Sequence, residues 1–88
     1  MTKNLVSMFP IRLRAARKAR GMSTKDLGAS CGVSYQTISS YELDRRCPSL
    51  ETALLLMDAL DCPMEWLFER KTPEEAAAEE EEKLPWEV

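Results

Sequence analysis

The chain has no histidine among its 88 residues, and only three cysteines, three glycines and two tryptophans. Without histidine it lacks the commonest general acid–base group. Cys31, Cys47 and Cys62 are an odd number with no C-x-x-C pair, and with no histidine to join them they make a poor zinc set. The few glycines form no phosphate-cradling loop, and no nucleophile has a base beside it. An enzyme is therefore not expected, nor a cofactor or a metal. No apolar run approaches the ~18 residues of a membrane span, and residues 1–10 lack the apolar stretch of a secretion signal. A cytoplasmic protein with no membrane partner is the expectation.

What is present fits one small domain. A chain 44% hydrophobic can build a single core, but a thin one, so a homodimer is expected. The net charge of −3 conceals a division. Residues 1–46 carry nine Lys/Arg and three Asp/Glu, and residues 47–88 carry three Lys/Arg and twelve Asp/Glu. Binding to nucleic acid needs local positive charge, which the first half has.

Residues 23–42 carry the most specific pattern, two short helices joined at a glycine. Ser23 is a candidate N-cap for the first. Leu27 and Cys31 share a face at i, i+4. Gly32 stands where the chain turns, because glycine accepts the left-handed conformation that ends many helices. Val33 fills the space under the turn. Ser34 is a candidate cap for the second helix, with Ile38 and Tyr41 facing inward and Tyr35, Gln36, Ser39 and Ser40 outward. A short helix with polar, uncharged residues on its outer face is one that a DNA major groove can admit.

Around this unit the expected division is an N-terminal arm over residues 1–9, a domain over 10–70 and an acidic tail over 71–88. A first helix over residues 10–20 would place Leu13 and Ala16 in the core, with Ile11 or Phe9 covering one end. Arg12, Arg14, Arg17, Lys18 and Arg20 would make the rest of it basic, either a phosphate-binding face or a solvated one. Ser49 caps a fourth helix, whose Leu50, Ala53, Leu54, Met57 and Leu60 recur at helical spacing as the main plank of the core. A fifth short helix follows Pro63 and supplies Met64, Trp66, Leu67 and Phe68. The outer members of the Leu54, Met57, Trp66 and Phe68 group are otherwise a dimer seam. Cys31 is expected to fill core volume, and Cys47 and Cys62, each before a proline, to be exposed.

The tail opens with Thr72 and Glu75 in capping-box spacing. No apolar stripe supports a helix beyond it, so a frayed helix or disorder is expected. Its role stays open among three readings. It is a solubilising extension, a contact site for a partner protein anchored by Leu84 and Trp86, or an autoinhibitory segment that competes with DNA phosphates for the basic face.

Taken together, Arg12 to Arg17, Gly21-Met22-Ser23, Leu27, Gly32-Val33-Ser34, Thr37-Ile38-Ser39, Tyr41-Glu42, Arg46, Pro48-Ser49-Leu50-Glu51 and Met64 to Phe68 resemble the phage-repressor/Cro and Xre-type helix-turn-helix family. The resemblance covers about two-thirds of the chain, in order and with the right gaps. It implies an all-α, five-helix, lambda-repressor-like domain. It also implies a sequence-specific DNA-binding transcriptional regulator, a repressor acting as a homodimer on a palindromic operator. The alternative is an antitoxin-like regulator whose acidic tail binds a partner protein.

Residue by residue, the resemblance implies base contacts from Tyr35, Gln36, Ser39 and Ser40. Ser23, Thr24, Arg45 and Arg46 fall at positions of phosphate contact, and Arg17 and Glu42 at those of a buried ion pair. Three departures stand out. Thr24 replaces the usual glutamine and shortens its reach. Leu43-Asp44 follows the recognition helix in place of glycine or asparagine. Gly28 replaces the more usual alanine, at about 1 kcal/mol of helix propensity.

Overall fold

The computed structural model describes residues 4–79. It is mainly helical, with six helices and one two-stranded ribbon, in the order β1 (Val6–Ser7), α1 (Phe9–Ala19), α2 (Thr24–Cys31), α3 (Tyr35–Glu42), α4 (Leu50–Leu60), α5 (Met64–Leu67), β2 (Arg70–Lys71) and α6 (Pro73–Glu79). The five helices read from the sequence are α1 to α5; α6 lies at the start of the tail, where a frayed helix or disorder is expected, and the ribbon is additional. Among the described residues no helix is long and apolar enough to cross a membrane.

The helix starts follow from local chemistry. The hydroxyls of Ser23, Ser34 and Ser49 accept the backbone N–H of Asp26, Thr37 and Thr52, each satisfying one donor that the first turn leaves without a partner. Pro10 lies in the first turn of α1, where its missing N–H costs nothing. Gly32 ends α2 at φ 70°, a left-handed conformation that side chains resist. Phe9, Leu13, Ala16, Leu27, Cys31, Ile38, Tyr41, Leu56, Leu60 and Leu67 form one core. Phe9 stacks on Phe68 with ring centroids 4.7 Å apart and meets Tyr41 at 5.9 Å.

The α4 plank differs from the expectation. Ala53, Leu56 and Leu60 face the core, whereas Leu50 is 71% exposed and Leu54 and Leu55 stand in solvent. The helix is apolar almost all round, so its spacing fits more than one buried face. Cys62 is buried rather than exposed, because it follows the left-handed Asp61 that turns the chain back under the core. Burial raises the thiol pKa of both Cys62 and Cys31, whereas Cys47 is exposed.

The larger difference is Arg12. Against the expectation of a basic surface there, it is 2% exposed. Its guanidinium bonds Glu79 bidentately, with Nε–Oε2 2.6 Å, donates to the Trp66 carbonyl, reaches Glu69 at 2.7 Å and lies 5.0 Å from the Trp66 ring centre. Lys71 also holds Glu79, at 2.9 Å. Both ends of the described chain are thereby drawn onto the body. Val6 pairs with Lys71 and Ser7 with Arg70 in the antiparallel ribbon, and the buried Met8 donates its N–H to the Glu69 carbonyl at 2.8 Å. Thr72 and Glu75 form a capping box at the start of α6, and Ala76 is buried beneath that helix. Leu84 and Trp86 lie outside the described residues.

Arg12, with Lys71, lowers the Glu79 carboxyl from an ordinary 4.5 to about 2. A depressed carboxyl contributes stability that is fully present above its unfolded value and is lost as pH falls toward its folded one. Glu79→Gln is therefore expected to lower stability by about 2 kcal/mol at pH 7, since it leaves the buried Arg12 with fewer partners. In urea titrations the deficit relative to wild type should shrink between pH 4.5 and pH 2. A deficit independent of pH would show that the carboxylate charge is not what holds Arg12.

Candidate nucleic-acid interface

The geometry of α2, the turn and α3 is set by close backbone approach. A Cβ on Gly28 would stand 2.6 Å from the Val33 carbonyl oxygen, inside any real contact distance. The glycine thus lets α2 approach the turn more closely than alanine would. Its propensity cost is offset by that packing.

The outward face of α3 carries Tyr35, which is 45% exposed, the exposed Gln36, and the half-buried Ser39 and Ser40. All four are uncharged and able to hydrogen-bond. The Thr37 hydroxyl lies 3.0 Å from that of the cap residue Ser34.

The C-terminal end of α3 is closed by a six-residue bonding pattern. The N–H of Arg45 donates to the Ser40 carbonyl at 2.8 Å, and that of Asp44 to the Tyr41 carbonyl at 3.2 Å. Asp44 adopts φ 59° to make this closure, the conformation for which glycine or asparagine is usual. Arg45 and Arg46 follow it directly and are exposed.

At the start of α2, Ser23 and Asp26 form a reciprocal capping box. The hydrogen bond from the Ser23 N–H holds the Asp26 carboxyl below the usual carboxylate range. The Ser23 hydroxyl is engaged in that cap, and Thr24 is half-buried as the first helical residue. The first-turn N–H groups of Thr24 and Lys25 face outward from the helix end, as the geometry of any helix start requires.

Beneath this surface Arg17 meets Glu42, with Nε–Oε2 2.6 Å and Nη2–Oε1 3.0 Å, and donates a third bond to the Met22 carbonyl at 2.9 Å. Their side chains are 12% and 8% exposed. The hydrogen bonds with Glu42 raise the Arg17 pKa. The pair fixes the end of α3 against α1 and borders a shallow groove lined also by Arg14, Ser39 and Leu43.

The structure thus gathers Tyr35, Gln36, Ser39 and Ser40 on one helix, with Ser23 and Thr24 at the neighbouring helix start and Arg45 and Arg46 beyond the α3 end. One residue absent from the sequence reading joins them. The Lys25 ammonium lies 5.5 Å from the centre of the Tyr35 ring. Periodicity within either helix gives no sign of this contact, because it crosses between helices.

The helix-turn-helix family matches residues 13–67, more than half of the chain. The P22 c2 repressor, solved in complex with synthetic operator 9T, is 34% identical over 69% of this chain and 92% of its own, with a TM-score of 0.68. The restriction-modification controller protein C.AhdI from Aeromonas hydrophila is also 34% identical, over the same shares, at 0.65. The N-terminal DNA-binding domain of SinR from Bacillus subtilis is 28% identical over 68% of this chain and 88% of its own, at 0.63. Comparison with curated protein sequences gives no match. The chain belongs to the helix-turn-helix family. Within it, the chain is of the phage-repressor/Xre type, a group of DNA-binding transcriptional regulators.

Removing one partner of the Arg17–Glu42 pair leaves a buried charge without compensation. Glu42→Ala is expected to cost about 3 kcal/mol, whereas the double replacement Arg17→Met with Glu42→Leu should restore most of it. Chemical denaturation of the three proteins checks both statements. A double variant no better than the single one would show that the pair is needed for shape rather than for charge balance.

Proposed function

We propose that this chain is a cytoplasmic repressor that binds a palindromic operator as a homodimer, with half-sites about one helical turn apart. In this reading α3 enters the major groove. Tyr35, Gln36, Ser39 and Ser40 meet base edges, and Gln36 is suited to bond adenine in two places. Ser23, Thr24 and the α2 start meet one phosphate stretch, and Arg45 and Arg46 another; these contacts fix register without reading sequence. The Ser23 N–H is taken by Asp26, whereas its hydroxyl only accepts in the cap and keeps its hydrogen to donate to a phosphate. Repression follows from occupancy, with no chemistry on the DNA.

The observation that carries this reading is the uncharged, hydrogen-bonding outer face of α3, bracketed by the exposed Arg45 and Arg46 on one side and Lys25 on the other. The P22 c2 repressor, 34% identical, was solved on operator DNA. The dimer reading rests on α4. Leu50, Leu54 and Leu55 face away from the core, where a monomer would place polar groups, and a second copy would cover them. The alternative of a partner protein held by the tail rests mainly on residues outside those described.

Selection of bound duplexes from a random pool at about 150 mM salt tests the proposal. An enriched palindrome is expected, and Gln36→Ala should relax one base position at a cost of about 1–3 kcal/mol. Arg46→Ala should weaken all sites alike and make the salt dependence shallower by about one unit. No enrichment would overturn the operator reading. Leu54→Asp is expected to leave folding within about 0.5 kcal/mol of wild type while shifting sedimentation from dimer to monomer. A dimer that persists would move the interface elsewhere.

A further inference from the structure

We infer that Lys25 is a positioning residue for Tyr35, and through that ring a determinant of the base preference at the first position that α3 reads. The inference rests on the DNA-reading function proposed above.

Tyr35 is the first residue of α3, at the end from which helices of this kind reach base edges. Its ring is only partly covered by the protein, and an exposed aromatic side chain is free to exchange between rotamers. Lys25 lies over that ring at 5.5 Å, within the range at which an ammonium is attracted to an aromatic face. The contact joins the second residue of α2 to the first of α3.

Three features keep those two positions in a fixed relation. Gly28 packs against the Val33 carbonyl, Gly32 makes the turn, and serine caps hold both helix starts. The neighbouring Asp26 carboxylate is engaged by the Ser23 N–H in its capping box. No acidic residue stands on the outward face of α3 to draw the ammonium off the ring. Lys25 therefore favours one ring orientation, leaving the phenol hydroxyl and the far face for the groove. Water is excluded there when DNA docks, and the attraction between cation and ring grows.

A lysine at a helix start could instead act as a point charge on a phosphate, and the two roles separate experimentally. The protein is titrated against its selected operator and against operators altered at single positions, as wild type, Lys25→Ala, Lys25→Arg, Tyr35→Leu and the Lys25→Ala/Tyr35→Leu double variant. Lys25→Ala is expected to reduce discrimination about two- to fivefold at the position whose preference Tyr35→Leu also abolishes, and nowhere else. Lys25→Arg should retain it, and the effect should vanish when Tyr35 is already leucine. In the free protein, the Lys25 ε-methylene resonances should be shifted upfield by the ring and lose that shift in Tyr35→Leu.

A uniform loss across all operators that persists without the ring and makes the salt dependence shallower by about 0.9 would overturn the inference in favour of a phosphate contact. So would unshifted Lys25 resonances, or discrimination unchanged by Lys25→Ala. A wild-type protein that selects no sequence fails at the earlier step and removes the function on which the inference rests.

Discussion

Two arginines of α1 and Arg20, which caps it, each bind a distant part of the chain, and the register of the helix ends depends on them. Arg12 holds Glu79 and Glu69, Arg17 holds Glu42, and Arg20 donates to the Leu60 and Asp61 carbonyls at 3.0 and 3.3 Å. They are not equal. Arg12 and Arg17 are nearly out of water, so their partners are obligatory. Arg20 is more exposed, and its ion pair with a solvated Asp61 adds little. Burying two guanidinium groups in so small a domain is a demanding arrangement. What it supplies is register: the ends of α3, α4 and α6 are each set against one helix by directional bonds that apolar packing alone would leave free to slide.

That register matters most at α3. The helix that faces solvent with Tyr35, Gln36, Ser39 and Ser40 is only two turns long and has little buried surface of its own, chiefly Ile38 and Tyr41. Its orientation is borrowed from its ends, the Ser34 cap at one and Arg17 with the Asp44 closure at the other. The closure carries a cost and a placement. Asp44 takes a left-handed conformation that glycine would adopt more easily, and it puts a carboxylate immediately before the two arginines of the α3–α4 loop.

Local features were legible in the sequence wherever a short-range rule decided them. Ser23, Ser34 and Ser49 mark helix starts because each cap is satisfied within three residues. Leu13, Ala16, Leu27, Ile38 and Tyr41 announce their burial through helical spacing. The outer face of α3 is legible for the same reason, and Arg17 with Glu42 is legible through family resemblance rather than through any pattern within the chain. What escaped depends on contacts distant in sequence. Arg12 looks like any basic surface residue until Glu69 and Glu79 are brought to it. On α4, a helix apolar on nearly every side, no period distinguishes Leu56 inside from Leu54 outside. Lys25 acquires meaning only from the ring of another helix.

The ribbon that pairs Val6 with Lys71 has a consequence for the order of folding. It joins residues from nearly opposite ends of the described chain, and the entropy of closing a loop grows with its length. The contacts among α1, α2 and α3 close much shorter loops and are expected to condense first. The ribbon and α6 then dock onto a body already formed, and until they do the Arg12 guanidinium keeps its hydration. The outermost layer is thus also expected to open first, exchanging its amide protons at a lower free energy than the core and leaving α3 in place.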